Sequence, residues 1–470
     1  MSRHKYRDLS KNTILFTISN FGTKIISFLL VPLYTSILST NDYGTADLMT
    51  TTAQLLIPVL TLNIQDAVLR FALDKNYSAK ETLKVSKNII FLSSLCLAIA
   101  LYFLCRLNII TLDSQYIVFL FLSFLVGSLS NSVSMYLKAE DKVGILVISG
   151  LTNTLITCVL NICLLLFLRM GMLGYLFANI AGSAVGVGIM ICGGKIVGDF
   201  LSPLRRMDKK LALQMVSFSA PLVVNSIAWW LNNASDRYIL TFFAGTVANG
   251  IYSVSYKVPT ILSTLQSIFY SAWSISAITE FDKDDHDGFM GNVYMTYACG
   301  SILGCSCLLI FNQFIAHILY AKEFYQAWQF TPPLLVGTVF NGIALFEGCI
   351  FTAVKDTKSV TISTLVGSGI NTLLNFILIP FWGAEGAALA TLVGYLCVWI
   401  VRTIQVKKIV RMKVNWLSQV VSLAILVVQM LISMKGQHLI QVPFLVLLII
   451  MQHKYMRKVF SMLKTRIFRR

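Results

Sequence analysis

The segment SIAWWLNNASDRYILTFFAG, residues 226 to 245, is apolar or neutral except for Asp236 and Arg237, which stand side by side near its centre. Three further cations, Lys24, Arg70 and Lys257, and two further carboxylates, Asp66 and Glu347, interrupt other apolar runs. An ionised side chain in hydrocarbon costs roughly 2.5–3.5 kcal/mol on insertion scales, so each is expected to face a partner or a watery cavity. Asp66 and Arg70 are spaced i, i+4 and are expected to pair along one helix face. Asp236 and Arg237 lie about 100° apart on a helix of 3.6 residues per turn and cannot share a face. One is expected to face a crevice and the other a neighbouring helix.

A crevice lined by Lys24 and Arg237 would suit an anionic group such as a phosphate or pyrophosphate, which Arg grips through two parallel hydrogen bonds. For Arg70, near a helix end, the structural role beside Asp66 is the preferred reading, and Lys257 lies in the outward part of its span. Asp66, Asp236 and Glu347 are then charge partners or points of ion coupling. Trp229, Trp230, Tyr238, Tyr252, Tyr256, Tyr270 and Trp273 concentrate in the same region. They offer faces to sugar rings, against the plainer role of interfacial belt and helix packing.

The elements that position these residues are membrane helices. Of 470 residues, 56% are hydrophobic and only 13% charged, with a mean hydropathy of +0.74; soluble domains carry roughly 25% charged residues. Apolar runs of about 20 residues, enough for a hydrocarbon core of about 30 Å, recur from end to end. Spans are expected near residues 10–38, 43–73, 85–105, 114–137, 143–168 and 172–197. A second set follows near 211–243, 247–278, 288–319, 325–353, 359–381, 385–406, 416–434 and 438–453, for an all-α polytopic protein of fourteen helices.

Charge asymmetry orients them. Segments 1–11, 75–87, 138–142, 195–210, 283, 355–358, 402–413 and 454–470 hold 30 of the 38 Lys and Arg residues, and the alternate loops hold only 4, namely Arg106, Arg169, Lys322 and Lys435. Both termini are therefore expected in the cytoplasm. The net charge of +17 is spread over short loops at one membrane surface and fits anionic lipid headgroups rather than nucleic acid.

Catalytic chemistry finds no foothold. The five histidines lack a metal or triad partner in sequence, no P-loop occurs, and the ten cysteines form no C-x-x-C pair and read as small apolar side chains. The acidic stretch EFDKDDHDG has its glycine out of place for a calcium loop. Neither an enzyme activity nor a metal or other cofactor is expected.

The chain repeats itself. Residues 138–179 run from a charged turn through Asn161 to Gly171 and Gly174; residues 354–391 run from a charged turn through Asn375 to Gly383 and Gly386. LSTNDYGTADL likewise pairs with AGTVANGIYSV, setting Gly44 against Gly250. Six spans return the chain to its starting side, so the repeats are parallel bundles flanking a central crevice, the architecture of alternating-access transporters. The expected division is 1–200, 201–413, and an appendage of two helices with a basic tail, 414–470.

Three segments, NTILFTISNFGTKIISFLLVPLYTSILSTNDYGTADL, SDRYILTFFAGTVANGIYSVSYKV and NTLLNFILIPFWGAEGAALAT, resemble in order those of the polysaccharide-biosynthesis flippases of the multidrug/oligosaccharidyl-lipid/polysaccharide (MOP) exporter superfamily. That resemblance implies two six-helix lobes in a V and the flipping of a polyprenyl-pyrophosphate-linked oligosaccharide to the outer leaflet of a bacterial cell membrane, for O-antigen, capsule or exopolysaccharide. It places Lys24, Arg70, Arg237 and Lys257 on cavity-lining spans, where they would meet the pyrophosphate. Membrane lipids, a coupling ion and the glycan polymerase machinery are the other partners it implies. A cation-coupled multidrug antiporter of the same superfamily and a flippase for the peptidoglycan lipid precursor are the alternatives.

Overall fold

The computed structural model describes residues 21–74, 76–107, 113–203, 208–354 and 356–467, and among these there is no strand. Nine of the described helices are long and apolar enough to cross a membrane, or up to eleven if each of two bent pairs is one span. The expected fourteen exceeds what helix length and apolar composition establish. The two longest apolar stretches, 50 and 52 residues, would each extend about 75 Å, more than twice the hydrocarbon core. Each is interrupted by a glycine with non-helical backbone, Gly245 in one and Gly383 in the other.

Chain contacts divide the molecule into two units, Met1–Ala234 and Ser235–Arg470. The first begins with α1 (Phe21–Ile37) and α2 (Thr40–Leu60), the latter started by a capping box in which Ser39 and Asp42 satisfy each other's backbone amides. A 56° bend separates α2 from α3 (Ile64–Ala72). Pro58 and two left-handed residues, Leu62 and Asn63, mark the break. There follow α4 (Ala79–Arg106), α5 (Ser114–Ala139), α6 (Val143–Asn161, continued by a π turn to Phe167), α7 (Gly171–Gly193), the short α8 (Val197–Phe200) and α9 (Lys209–Ser219).

The core of this unit joins Ile64 and Val68 of α3, Ile90 of α4, Tyr136 and Leu137 of α5, Met190 of α7 and Met215 of α9, all nearly solvent-free. Helix α9, which opens the second half of the sequence, is thus packed into the first unit. Lys87 is buried on α4 and donates to the Phe200 and Ser202 carbonyls at 3.0 and 2.6 Å, which ties the segment after α8 to the bundle.

Helix α10 (Leu222–Ser255) carries the chain into the second unit. That unit holds α11 (Lys257–Thr279), α12 (Phe289–Ile310), α13 (Asn312–Leu319), α14 (Thr331–Ala353), α15 (Thr357–Ile409, broken at Gly383), α16 (Trp416–Met434) and α17 (Val442–Ile467). Helix α14 is the most enclosed. Trp273 of α11 stacks on its Phe346 at 4.2 Å and donates to the Phe346 carbonyl at 3.0 Å. Helix α16 is bonded to α12, Gln429 accepting from the Ser306 hydroxyl at 2.7 Å and donating to the Ser306 carbonyl at 3.0 Å. An amide and a hydroxyl bonded to each other remove the cost of leaving either bare in an apolar bundle.

The repeat seen in the sequence reappears as matched local geometry. Gly171 and Gly383 both adopt positive φ, +55 and +51, where a helix ends and its successor begins. A Cβ on Gly174 would meet Leu164 Cβ at 3.1 Å, and one on Gly386 would meet the Leu378 carbonyl oxygen at 2.6 Å. In both halves a left-handed glycine turns the chain, and a second glycine three residues later admits the preceding helix.

Candidate functional site

Asp236 is only 4% exposed. One of its oxygens accepts from the Tyr252 hydroxyl at 2.7 Å and the Tyr256 hydroxyl at 2.9 Å, and the other from the Arg237 backbone amide at 2.9 Å. Tyr252 and Tyr256 are spaced i, i+4 beyond the Gly245 break, so one face of the following helical run presents both phenols. A buried carboxylate needs donors in place of water, and three are supplied. From Tyr252 the polar chain continues to the Thr391 hydroxyl at 3.4 Å, from Thr391 to the Asn371 amide at 3.4 Å, and from Asn371 to Asn375 at 3.2 Å. Asn375, the repeat residue, ends this line of neutral donors and acceptors through α10 and α15.

The Arg237 guanidinium lies 5.6 Å from the centre of the Tyr256 ring, a cation–π arrangement, and the residue is half-buried. The adjacent charges thus meet Tyr256 in different ways: Asp236 accepts from its hydroxyl and fastens two helical runs, and Arg237 lies over its ring. Lys257, next to Tyr256 at the start of α11, is also half-buried and has no carboxylate within ion-pair distance among the described residues.

Lys24 on α1 and Arg70 on α3 belong to the first unit, and both are exposed. The expected Asp66–Arg70 ion pair is not formed. Asp66 turns back to accept from the Asn63 amide at 2.6 Å. Asn63 is the left-handed residue just before α3, so its side chain reaches Asp66 in the first helical turn more directly than Arg70 does from the last. Neither Lys24 nor Arg70 has an ion-pair partner among the described residues.

Glu347 on α14 is fully buried. One oxygen accepts from the Thr403 hydroxyl at 2.8 Å and the Tyr294 hydroxyl at 3.5 Å, while the other has no hydrogen-bond partner among the described residues. Arg402, counted from sequence among the cytoplasmic cations, is instead buried on α15. It donates to the Ala344 carbonyl at 2.6 Å, the Ser363 hydroxyl at 3.0 Å and the Thr364 hydroxyl at 3.1 Å. Lys87 was assigned to the same class and is buried as well. Both sit about two helical turns from a helix end, where charge counting does not separate an enclosed cation from a loop cation.

Most of the aromatic cluster is occupied with packing. Trp230 donates to the Thr51 carbonyl at 2.9 Å, Trp273 stacks on Phe346, and Tyr252 and Tyr256 hold Asp236. The Trp229 side chain lies outside the described residues. The acidic loop is closed by its own backbone. Asp285 accepts from the amides of Met290 and Gly291 at 2.9 and 3.0 Å and from the Lys413 amide at 3.2 Å, while the Arg411 amide donates to the Lys283 carbonyl at 2.8 Å. In this loop His286 Nδ1 lies 2.8 Å from Asp282. The bond to Asp282 holds the His286 imidazolium above its ordinary range, and the His286 backbone amide, then its ring, hold Asp282 below the usual carboxylate range. No group of three or more His, Cys, Asp or Glu side chains suited to a metal ion occurs among the described residues.

The family model described as "Polysaccharide biosynthesis protein" matches residues 9–275, more than half of the chain. The chain belongs to the polysaccharide biosynthesis protein family. No curated protein matches it. Among solved structures, the lipid II flippase MurJ in an inward closed conformation aligns with a TM-score of 0.68 at 17% identity, covering 97% of this chain and 100% of that one. An outward-facing multidrug resistance MATE family transporter of the MOP superfamily aligns at 0.57 and 13% identity, covering 86% and 96%. A MOP superfamily transporter from Pyrococcus furiosus, described as having a binding pocket of reverse polarity, aligns at 0.55 and 13%, covering 85% and 95%. This polysaccharide biosynthesis family member is thus a multi-pass membrane protein with the fold of the MOP superfamily transporters.

Proposed function

We propose that the protein is a flippase that moves a polyprenyl-pyrophosphate-linked oligosaccharide from the cytoplasmic to the outer leaflet of a bacterial cell membrane for surface polysaccharide assembly. Its mechanism is alternating access between two six-span lobes, residues 1–200 and 201–413, with 414–470 appended and both termini cytoplasmic. The observation that carries this reading is an imbalance of available charge. Lys24, Arg70 and Lys257 have no ion-pair partner among the described residues, while Asp236 is enclosed by donors and Glu347 is fully buried. With half-buried Asp66 bonded to Asn63, the accessible charge among these residues is net positive, which favours a pyrophosphate over a cationic drug. Lys24, Arg70, Arg237 and Lys257 are the anion-binding set; Asp66, Asp236 and Glu347 are the carboxylates open to charge pairing or ion coupling.

A second cargo is favoured by one finding, the alignment to the whole of the lipid II flippase. Reconstitution in liposomes separates the cases. Purified protein is offered a fluorescent polyprenyl-pyrophosphate oligosaccharide, the peptidoglycan lipid precursor and a cationic dye, and outer-leaflet accessibility is read. We expect flipping of the oligosaccharide lipid, reduced about tenfold or more by Arg237→Ala, which is the loss of a charged contact worth about 1.5–3 kcal/mol. Dye transport without lipid movement would overturn the flippase. Wild-type rates retained in both Lys24→Ala and Arg237→Ala would overturn the cationic site.

A further inference from the structure

Three helices of the first unit bring uncharged polar stripes together. On α2, Thr50, Gln54 and Ile57 follow one face; on α5, Ser123, Gly127 and Asn131 do so; on α7, Tyr175, Asn179 and Ser183 do so, each at helical spacing. These faces line a cavity of about 350 Å³ at mid-helix, with Ser130 beside Asn131. Among the described residues, no Asp, Glu, Lys, Arg or His side chain lines it.

Hydrogen-bond accounting gives the cavity its character. Thr50 donates to the Ala46 carbonyl at 2.9 Å, and Asn179 donates to the Tyr175 carbonyl at 2.7 Å. The side chains of Gln54, Ser123, Ser130, Asn131 and Ser183 make no hydrogen bond to another described residue. With Gln54 and Asn131 exposed and the three serines half-buried, two carboxamides and three hydroxyls without partners among the described residues open onto one space between membrane-length helices. Such groups are expensive there unless water or a polar ligand completes them. Packing explains small residues such as Gly127, where a Cβ would meet Ile57 Cδ1 at 2.8 Å. It does not explain Gln and Asn, which apolar side chains of similar size would replace at lower cost.

The donor set selects a ligand class. An anion would call for Lys, Arg or a cluster of amide protons, and a cation for carboxylates; neither is present. Carboxamides and hydroxyls both donate and accept, and so match a neutral ligand rich in hydroxyl and acetamido groups. The cavity lies at the small end of the about 300–1,000 Å³ typical of ligand sites, a size for part of a glycan rather than a whole repeat unit. Tyr175 adds a ring at its wall, itself held edge-on by Tyr34 at 4.9 Å.

We propose that this cavity among α2, α5 and α7 is a subsite for a sugar ring of the lipid-linked glycan. The pyrophosphate would be read by cations elsewhere and the sugar here, by Gln54, Ser130 and Asn131 in particular. The proposal rests on the flippase reading above.

The test compares two probes in detergent, polyprenyl pyrophosphate bearing one N-acetylglucosamine and polyprenyl pyrophosphate alone, on wild type, Asn131→Leu and Gln54→Leu. Thermal unfolding is measured alongside, and Ser130→Ala serves as a milder variant should either leucine variant fail to fold. Wild type should bind the sugar-bearing lipid about tenfold more tightly than the bare one. The variants should lose that preference while keeping wild-type affinity for the bare lipid. A preference undiminished in folded variants overturns the subsite and leaves the flippase standing. Wild type that binds neither lipid brings down the flippase reading and this one with it. Equal wild-type affinity for both lipids overturns the subsite alone.

Discussion

Asp236 shows how a single buried charge is made tolerable, and what removing it should cost. Its carboxylate takes hydrogen bonds from Tyr252, Tyr256 and the Arg237 amide. Replacement by alanine would take the carboxylate acceptor from two phenols and leave them only each other, 3.0 Å apart, and the Thr391 hydroxyl, a loss of about 1–3 kcal/mol for each charged bond. We expect Asp236→Ala to lower unfolding free energy by about 2–4 kcal/mol and Tyr252→Phe by about 1–2 kcal/mol. The double variant should cost little more than Asp236→Ala, since the shared bond can be lost only once. Denaturant unfolding in detergent measures the cycle, and fully additive losses would show that the two groups do not depend on each other. The offset of about 100° between Asp236 and Arg237 follows from residue spacing. The partners do not, because Tyr252 and Tyr256 lie 16 and 20 residues away, across the Gly245 break. Asp66 teaches the converse: its i, i+4 spacing to Arg70 was legible, but Asn63 stands nearer and takes the carboxylate.

At the level of helices, the two halves use the same joint. Gly171 and Gly383 both have positive φ, and Gly383, with ψ −129, lies where side-chain-bearing residues rarely go; a Cβ at either costs roughly 1 kcal/mol or more. We expect Gly171→Ala and Gly383→Ala to destabilise by about that amount each. Gly386→Ala should cost more, since its Cβ would press on the Leu378 carbonyl oxygen at 2.6 Å, a backbone atom that cannot swing aside. Gly369→Ala is the control: it lies within α15 with nothing within 4 Å of the added carbon. It should be neutral or stabilising by up to about 1 kcal/mol. Melting temperatures of the four proteins decide the matter, and a Gly369→Ala loss equal to that of Gly386→Ala would contradict it. The paired glycines could be found in the sequence because they recur in order. The break between α2 and α3 had Pro58 and Asn63 as its sequence signals, whereas Leu62 is not a residue type that predicts a left-handed backbone.

For the molecule as a whole, the excess of Lys and Arg on alternate loops predicts a topology that labelling can check. In a cysteine-free background, an impermeant maleimide should reach Lys435→Cys in intact cells, and Asp284→Cys only after permeabilisation. Labelling of both in intact cells would overturn the orientation. Moving Arg402 and Lys87 from loops to buried sites leaves the asymmetry intact, because it rests on many residues. Membrane class, succession of helices and internal repeat could be read along the chain, since hydropathy, charge bias and glycine recurrence are sums over neighbours in sequence. Which cations are enclosed, that two tyrosines hold Asp236, and that the stripes of α2, α5 and α7 face one cavity could not. Those depend on side chains far apart in the chain competing for the same few donors and acceptors, and that competition is resolved only when the helices pack.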